Sequence, residues 1–266
     1  MKDYLSNDVI VYKKVGDIEY IQFRKLLEYP EITHCYTLRS NDIISFEPSY
    51  KDNEKLISSY QNIGKALNIN PNRILKPHQT HTDRVESVRN MCKFDDVDGI
   101  LTNKKELALL TTSADCTSLL FYDPIKKVIG SVHSGWKGTL KKIAKNTVLK
   151  MVKEYDTNPQ DVICAIGPTI RKCCFEVEDD VEILFKNKYF YLNLDDIIKK
   201  GDIISGKQKY YIDTVFINKQ LLIEAGLRKE NILDCGICNK CNSNDFHSYR
   251  ADKDKSGRNG AIIMIK

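Results

Sequence analysis

Side chains with metal-binding chemistry stand at the ends of apolar stretches in this sequence. A histidine pair, His78 and His81, lies in KPHQTHTDRV, Cys116 lies in SADC between two apolar runs, and His133 ends the run VIGSVH. Zinc accepts imidazole nitrogen and thiolate sulfur, and a catalytic zinc keeps its fourth position open. One histidine of the pair, with Cys116 and His133, would form such a set, and water at the open position becomes a usable nucleophile near neutral pH.

Each of these residues also has an ordinary structural interpretation. On an extended segment His78 and His81 point to opposite faces, so only one of them would face a shared pocket, and the pair is also typical of a polar surface loop. A buried cysteine such as Cys116 is more often a small core residue than a ligand. A histidine at the end of a buried strand, such as His133, is costly unless its nitrogens are hydrogen-bonded.

Two further segments indicate an anion site. After His133 the turn SGWKG enters a helix, where free backbone N–H groups favour an anion and Lys137 adds a full charge. The alternative is a plain strand-to-helix turn with Trp136 as a core anchor. Downstream, the polar loop FHSYRADKDKSGRNG offers Arg250 and Arg258, whose guanidinium groups suit bidentate contacts with phosphate, although solvation alone would explain them equally well.

Three cysteines at three-residue intervals, Cys235, Cys238 and Cys241, occur in DCGICNKC. This is half of an iron–sulfur or zinc-ribbon pattern. A fourth ligand at matching spacing is missing, although His247 lies six residues further on. We therefore favour a turn with reduced thiols over a second metal site.

The spacing of apolar residues predicts a mixture of strands and helices. Gly16-Asp17 between two β-branched runs predicts a hairpin, and the segment NEKLISSYQNIGKAL predicts a helix over residues 53–67. The stretch ELALLTTSADCTSLLFYD predicts a strand, a turn and a second strand. One apolar face from Leu140 to Tyr155 predicts a helix, and Gly226 is expected to end a later one.

The composition is that of an ordinary globular protein. Hairpins join the early strands, so we expect an α+β fold with mixed β-sheets flanked by helices, in a single domain over residues 1–266, rather than a doubly wound parallel sheet. The formal net charge of +5, from 41 basic and 36 acidic residues, is small and spread along the chain. That distribution argues against nucleic-acid binding.

The compartment can also be inferred from the sequence. No apolar run follows the first residues, MKDY, and no stretch of 18 apolar residues occurs, so we expect neither a signal peptide nor a membrane span. The nine cysteines are an odd number without secretory context. We therefore expect reduced thiols in a cytoplasmic protein.

Five motifs occur in order over residues 75–265: HQTH, ADC, VHSGWKG, IGPTIRKCCFEV, and FHSYR with SGR. Together they resemble the bacterial laccase-domain family, first described as polyphenol oxidases and better described as zinc-dependent purine nucleoside phosphorylases. The resemblance implies a laccase-domain fold and a catalytic zinc, one per chain, bound by His81, Cys116 and His133. It also implies phosphorolysis of adenosine, inosine and methylthioadenosine, with adenosine deamination as a side activity.

Some positions depart from the family's pattern. Lys137 stands where the family's A-G-W-R-G turn has an arginine, which weakens bidentate contact with phosphate. The family's N-terminal segment is barely visible in YTLRSNDIISFEP, which keeps Arg39 and little else. We retain Arg39, Lys137, Arg250 and Arg258 as the expected contacts for substrate and phosphate. His78 is then an extra histidine that points away or supports the ligands.

Other functions stay open at this point. A copper-dependent, laccase-like polyphenol oxidase would need many histidines for several coppers, and the chain has five. A partner-binding protein with a structural zinc would close the fourth ligand position. A thiol hydrolase would use Cys116 as nucleophile and His133 as base. The expected partners are purine nucleosides and phosphate, without nucleic acid or membrane, and the sequence leaves monomer and homodimer both open.

Overall fold

The computed structural model describes residues 2–40, 44–46 and 53–266. Its strands are β1 (Ile10–Val15), β2 (Ile18–Phe23), β3 (Ile32–Thr37), β4 (Ile74–Leu75), β5 (Val85–Ser87), β6 (Gly99–Thr102), β7 (Ala108–Ser113), β8 (Thr117–Asp123), β9 (Val128–Ser134), β10 (Ile163–Ile166), β11 (Glu176–Val177), β12 (Ile198–Ile204), β13 (Lys207–Ile212), β14 (Ile232–Asp234) and β15 (Asn259–Ile265). Its α-helices are α1 (Arg24–Leu27), α2 (Asn53–Leu67), α3 (Trp136–Leu140), α4 (Ile143–Tyr155), α5 (Asp179–Lys188), α6 (Leu194–Ile197), α7 (Thr214–Glu224) and α8 (Tyr249–Asp252).

Within these ranges the strands form two large sheets and one small one. The first sheet has the order β1-β2-β3-β15-β7-β4, the second β14-β10-β8-β9-β6-β5, and the third β11-β13-β12. The pairs β4–β7, β5–β6 and β10–β14 are parallel and lie among antiparallel neighbours. The predicted α+β fold with mixed sheets and flanking helices is therefore confirmed.

The apolar cores give the order of the layers. Leu109 of the first large sheet and Tyr122 of the second belong to one core, which lies between the two sheets. Phe121 on the other face of the second sheet shares a core with Val148 of α4. Helix α2 covers the outer face of the first sheet, where Ile63 is fully buried. Since alternate strand residues face opposite sides, each of the two large sheets supplies two cores.

Several local predictions are confirmed. Strands β1 and β2 pair antiparallel around Gly16-Asp17, and Gly16 has a φ of 59°, which glycine adopts without steric cost. Helix α2 occupies residues 53–67. Gly226 follows α7 with a φ of 100° and ends it.

The predicted strand, turn and strand around Ala114 are also observed, but the two strands belong to different sheets. Strand β7 pairs with β15 and β4 in the first sheet, whereas β8 pairs with β9 and β10 in the second. The turn at residues 114–116 therefore crosses from one layer to the other. This crossing brings Cys116 to the ends of both large sheets.

The helix predicted from Leu140 to Tyr155 is divided. Helix α3 ends at Leu140, Lys142 takes a left-handed φ of 64°, and α4 begins at Ile143. Met151 of α4 is fully buried, whereas Val152 is exposed, so the apolar face is narrower than predicted.

The lysine-rich hairpin of β12 and β13 was not predicted, because its strand residues, which are exposed or half-buried apart from Ile212, carry little hydrophobic alternation. Residues 41–43 and 47–48 of the stretch YTLRSNDIISFEP lie outside the described residues. Among the helices that the structure describes, none has the length and apolar character needed to cross a membrane.

Candidate metal centre

The three residues expected to bind metal converge. One ligand atom from each of His81, Cys116 and His133 lies within 4.8 Å of the other two. The Cys116 Sγ atom is 3.8 Å from His81 Nε2, and the two imidazole rings meet edge to face with 5.0 Å between centroids. A tetrahedral zinc with bonds of about 2.3 Å to sulfur and about 2.0 Å to nitrogen separates those donors by about 3.5 Å. The donor set therefore fits zinc.

Asp98 orients His133. It directly precedes β6, whose Gly99 pairs with Val132 of β9, so Asp98 lies opposite His133. The Nδ1–H group of His133 donates to Asp98 Oδ1 at 2.7 Å, which leaves Nε2 for the centre. Burial opposes ionisation of Asp98, but hydrogen bonds from His133 and Thr82 lower its pKa to about 2. Sequence reasoning missed this residue, because its position opposite His133 depends on the pairing of β6 with β9.

The loop that carries His81 is held by the same carboxylate. Asp98 accepts the backbone N–H of His81 at 3.1 Å and that of Thr82 at 2.6 Å. Gln79 adds a second anchor, since its amide donates to the carbonyl of Thr112 and accepts the N–H of Thr112, both at 2.8 Å. His81 itself has a left-handed φ of 64°. These bonds stabilise an unfavourable backbone conformation that aims the imidazole at Cys116.

Cys116 lies in the turn between β7 and β8. The preceding Asp115 has a φ of 88°, and its carbonyl accepts the Ile170 N–H at 2.9 Å, which fixes the turn. Burial opposes ionisation of the Cys116 thiol, but the charge of His133 and hydrogen bonds from His133 and His81 lower its pKa to about 6. Burial likewise opposes charging of His133, whereas the Cys116 charge and Asp98 raise its pKa to about 9. Thiolate is the form of cysteine that binds metal.

Gly135 makes room for the ligands. A Cβ atom at this position would lie 2.6 Å from His81 Cδ2 and 3.4 Å from Cys116 Sγ. Its φ of −65° is ordinary for any residue, so the requirement for glycine comes from this close approach and not from the backbone.

A cleft of about 590 Å³ opens over the three ligands. Its wall combines aromatic and charged side chains with the metal-binding group. The aromatic ones are Phe46, Trp136, Phe175 and Tyr249, and the arginines are Arg250 and Arg258. A concave pocket that combines aromatic surface with convergent polar groups is typical of small-molecule sites.

Both cleft arginines are held by backbone contacts. Arg250 donates its backbone N–H to Asp115 Oδ2 at 2.7 Å and a guanidinium N–H to the carbonyl of Glu176 at 2.8 Å. Its guanidinium carbon lies 5.4 Å from the centre of the Phe175 ring. The guanidinium of Arg258 donates to the carbonyl of Gly257 at 3.0 Å.

The structure does not bring the other two expected anion contacts to the cleft. Arg39 donates to the carbonyl of Ser243 at 2.7 Å and forms an ion pair with Asp252. Lys137 is exposed on the first turn of α3, with its Nζ atom 5.5 Å from the centre of the Trp136 ring. Neither residue lines the cleft, because the start of α3 directs Lys137 outward and the ion pair holds Arg39 elsewhere.

His78 behaves as an extra histidine. Its side chain is 67% exposed and its Nδ1 atom lies 3.7 Å from Asp95, while His81 alone of the pair joins the ligand group. The expectation that only one of the two would face a shared pocket is wrong, because both His78 and His81 line the cleft, although only His81 lies close to Cys116 and His133.

A second group of metal-binding atoms includes only two of the three cysteines that the sequence spacing had grouped together. Cys238 and Cys241 lie together with Cys173 and Cys174, and the four sulfur atoms are within 4.8 Å of one another. Cys235, which the spacing had grouped with them, is fully buried in the core between the sheets. His247 is also elsewhere and contacts the carbonyl of Ile44 through Nε2 at 3.0 Å. The missing partners come from another loop, which spacing within DCGICNKC could not reveal.

The family can be assigned by comparison with known proteins. A profile of the family described as multi-copper polyphenol oxidoreductase laccase matches residues 45–266. This range includes all three ligands and both cleft arginines. The chain belongs to this laccase family.

Two relatives of this laccase-family chain are named as purine nucleoside enzymes. Purine nucleoside phosphorylase YlmD of Bacillus subtilis is 32% identical over 198 residues, which are 71% of this chain and 69% of that protein. Adenosine deaminase RL5, from an unknown prokaryotic organism, is 28% identical over 222 residues, or 80% of this chain and 82% of that one.

A solved structure has a similar fold. The crystal structure of Bacillus licheniformis YfiH superposes with a TM-score of 0.83 at 26% identity, covering 96% of this chain and 99% of its own.

Proposed function

We propose that this laccase-family chain is a zinc-dependent purine nucleoside phosphorylase that acts on adenosine, inosine and methylthioadenosine and also deaminates adenosine. The observation that carries the proposal is the convergence of His81, Cys116 and His133 within 4.8 Å, under a cleft that contains two arginines. The relatives named phosphorylase and deaminase support the same substrate class.

His81, Cys116 and His133 would hold the zinc. Three protein ligands of this kind match a catalytic site, which keeps one position for substrate or water. When bound, zinc would supply a Lewis acid for a substrate group or activation of water.

The cleft walls would bind and orient the two substrates. Aromatic rings such as Phe175 and Tyr249 offer flat apolar surface for a purine, and Arg250 and Arg258 offer guanidinium groups for phosphate. In phosphorolysis a phosphate oxygen forms a bond to C1′ of the ribose while the bond from C1′ to N9 breaks, its electron pair staying on the purine, which takes up one proton. Holding both substrates in one cleft lowers the entropic cost of their reaction.

A copper-dependent polyphenol oxidase is disfavoured. Several coppers require many histidines, and two of the five in this chain, His34 and His247, are buried away from the centre in contact with backbone. A partner-binding protein with a structural zinc is disfavoured because the three ligands line an open cleft.

A thiol hydrolase is the second candidate, and one observation favours it. Cys116, His133 and Asp98 are connected in the order of a nucleophile, a base and an orienting carboxylate, and the pKa of Cys116 is lowered to about 6 against the effect of burial, chiefly by His133. Removing zinc would leave such an enzyme active and would abolish phosphorolysis.

The decisive experiment incubates the purified zinc-loaded protein with adenosine, with and without phosphate, and measures adenine, ribose 1-phosphate and inosine. We expect adenine and ribose 1-phosphate only with phosphate, and inosine in either case. Cys116→Ala should abolish both reactions, whereas Cys92→Ala, an exposed thiol outside both clusters, should retain them.

Two outcomes would contradict the proposal. Release of adenine without phosphate would make the reaction a hydrolysis and remove the role of the arginines. Full activity after exhaustive chelation, with the zinc content verified as zero, would favour the thiol hydrolase.

A further inference from the structure

Four cysteine sulfurs from two loops form a compact group outside the cleft. Cys173 and Cys174 lie in the loop between β10 and β11, and Cys238 and Cys241 lie in the loop that follows β14. The Sγ atoms of Cys173, Cys174 and Cys241 are 3.5 to 3.8 Å apart, and that of Cys238 lies within 4.8 Å of all three. All four thiols are free.

We propose that Cys173, Cys174, Cys238 and Cys241 bind one Zn²⁺ in a structural site, separate from the centre in the cleft. Four thiolates in tetrahedral geometry are a preferred environment for structural zinc. With zinc–sulfur bonds of about 2.3 Å, the sulfurs of such a site lie about 3.8 Å apart, close to the measured separations.

The spacing of the sulfurs fits a single zinc ion better than a disulfide or an iron–sulfur cluster. A disulfide needs sulfurs about 2.0 Å apart, so the observed separations are those of unbonded thiols. An iron–sulfur cluster places several iron and sulfide atoms between its cysteines, which separates the sulfurs further than four ligands on one ion.

The surroundings of the group also suit a metal thiolate. Cys238 is 7% exposed, and backbone N–H groups of Arg171 and Cys241 hydrogen-bond its sulfur.

The two loops that the zinc would join both build the wall of the cleft. The first carries Phe175, and the second continues into α8, which carries Arg250. The loops are already connected by backbone bonds, since Thr169 N–H donates to the Ile237 carbonyl and Asn239 N–H to the Thr169 carbonyl. Because the Arg250 guanidinium lies over the Phe175 ring, a metal that holds both loops would fix the relative position of these two cleft residues.

The test measures bound metal and does not depend on activity. Protein purified with reductant, reconstituted with zinc and freed of excess metal is analysed for zinc per chain. We expect two equivalents in the wild type and in Cys92→Ser, one in Cys116→Ala, and one in Cys241→Ser. A single zinc retained by Cys116→Ala would support this site even if no phosphorylase activity were found.

A second measurement guards against misfolding of a variant. Cys116→Ala loaded with cobalt should have intense thiolate-to-cobalt charge-transfer bands and the visible bands of a tetrahedral ion, since all four cluster thiols remain. One zinc in the wild type with none in Cys116→Ala, and no such cobalt spectrum, would overturn the proposal. Stoichiometric iron in the purified protein that zinc does not displace would overturn the assignment to zinc.

Discussion

Asp98 and His133 form a fully buried pair, with the Nδ1–H of the imidazole 2.7 Å from the carboxylate and side chains no more than 4% exposed. The same carboxylate accepts the backbone N–H groups of His81 and Thr82. One acidic residue thus orients one ligand directly and a second ligand through its loop. Since Asp98 does not itself join the ligand group, it is a positioning residue.

The substitution Asp98→Asn should weaken zinc binding at the cleft by about 10- to 100-fold, as for other residues that orient a metal ligand. An amide cannot supply the charge that fixes the protonation of His133. Competition with a chromophoric chelator measures the affinity in Cys241→Ser protein, which keeps the second zinc from contributing. Asp96→Asn, an exposed change in the same loop, is the matched control, and equal affinities in both variants would refute this role.

Gly135→Ala should reduce zinc affinity and activity while leaving the fold intact. The added Cβ would lie 2.6 Å from His81 Cδ2, so the imidazole must move away from the centre. Gly138→Ala, three residues further on in α3, is the control, because its Cβ would meet Thr82 O at 3.0 Å and no ligand side chain. Zinc content and far-ultraviolet circular dichroism are measured together, and unchanged zinc affinity in Gly135→Ala would show that His81 does not need this space.

Arg250→Gln should raise the KM for phosphate by about 10- to 100-fold, since a hydrogen bond to a charged group contributes about 1.5–3 kcal/mol. The KM for the nucleoside should change less, because the aromatic walls remain. Arg39→Gln removes the same charge outside the cleft and serves as the comparison. Initial rates at varied phosphate concentration give the KM of each variant. A larger increase in Arg39→Gln than in Arg250→Gln would mean that phosphate binds outside the cleft.

His34 should make stability depend on pH. Burial lowers its pKa from 6.5 to about 3, and its Nε2 accepts the Phe23 N–H at 2.8 Å. Between the folded-state and unfolded-state pKa values of His34, the unfolded chain binds one more proton than the folded chain. The contribution of neutral His34 to the free energy of unfolding is therefore complete above pH 6.5 and declines as the pH falls. From pH 7 to pH 5 the loss is about 2 kcal/mol.

Urea unfolding of wild type and His34→Gln at both pH values isolates this contribution from that of other groups. From pH 7 to pH 5, the free energy of unfolding should fall by about 2 kcal/mol more in the wild type than in the variant. His78→Gln, at a 67% exposed histidine, should lose as much as the wild type. Parallel pH dependence in wild type and His34→Gln would mean that His34 is not held neutral.

Much of the local structure was predictable from the sequence. Hydrophobic spacing located α2 over residues 53–67, and two β-branched runs around Gly16 located the first hairpin. Such patterns depend on side chains that are neighbours in sequence. The break at Lys142 was not predictable, because the apolar residues on either side keep a helical spacing across it.

The site was predictable as a set of residue types and only partly as a set of positions. Cys116 and His133 were identified at the ends of apolar runs, and the family motifs selected His81 over His78. Asp98 was missed because its role depends on strand pairing with β9, and Arg39 and Lys137 were expected at a cleft that they do not line.

The sequence alone determined which side chains were available: two imidazoles and a thiol with affinity for zinc, arginines for an anion, and apolar runs that must be buried. Only the tertiary structure decided which of them meet. Strands β7 and β8 enter different sheets, so the turn between them brings Cys116 to His133, and two loops far apart in sequence bring Cys173 and Cys174 to Cys238 and Cys241. These encounters depend on long-range strand pairing and packing, which no local pattern encodes.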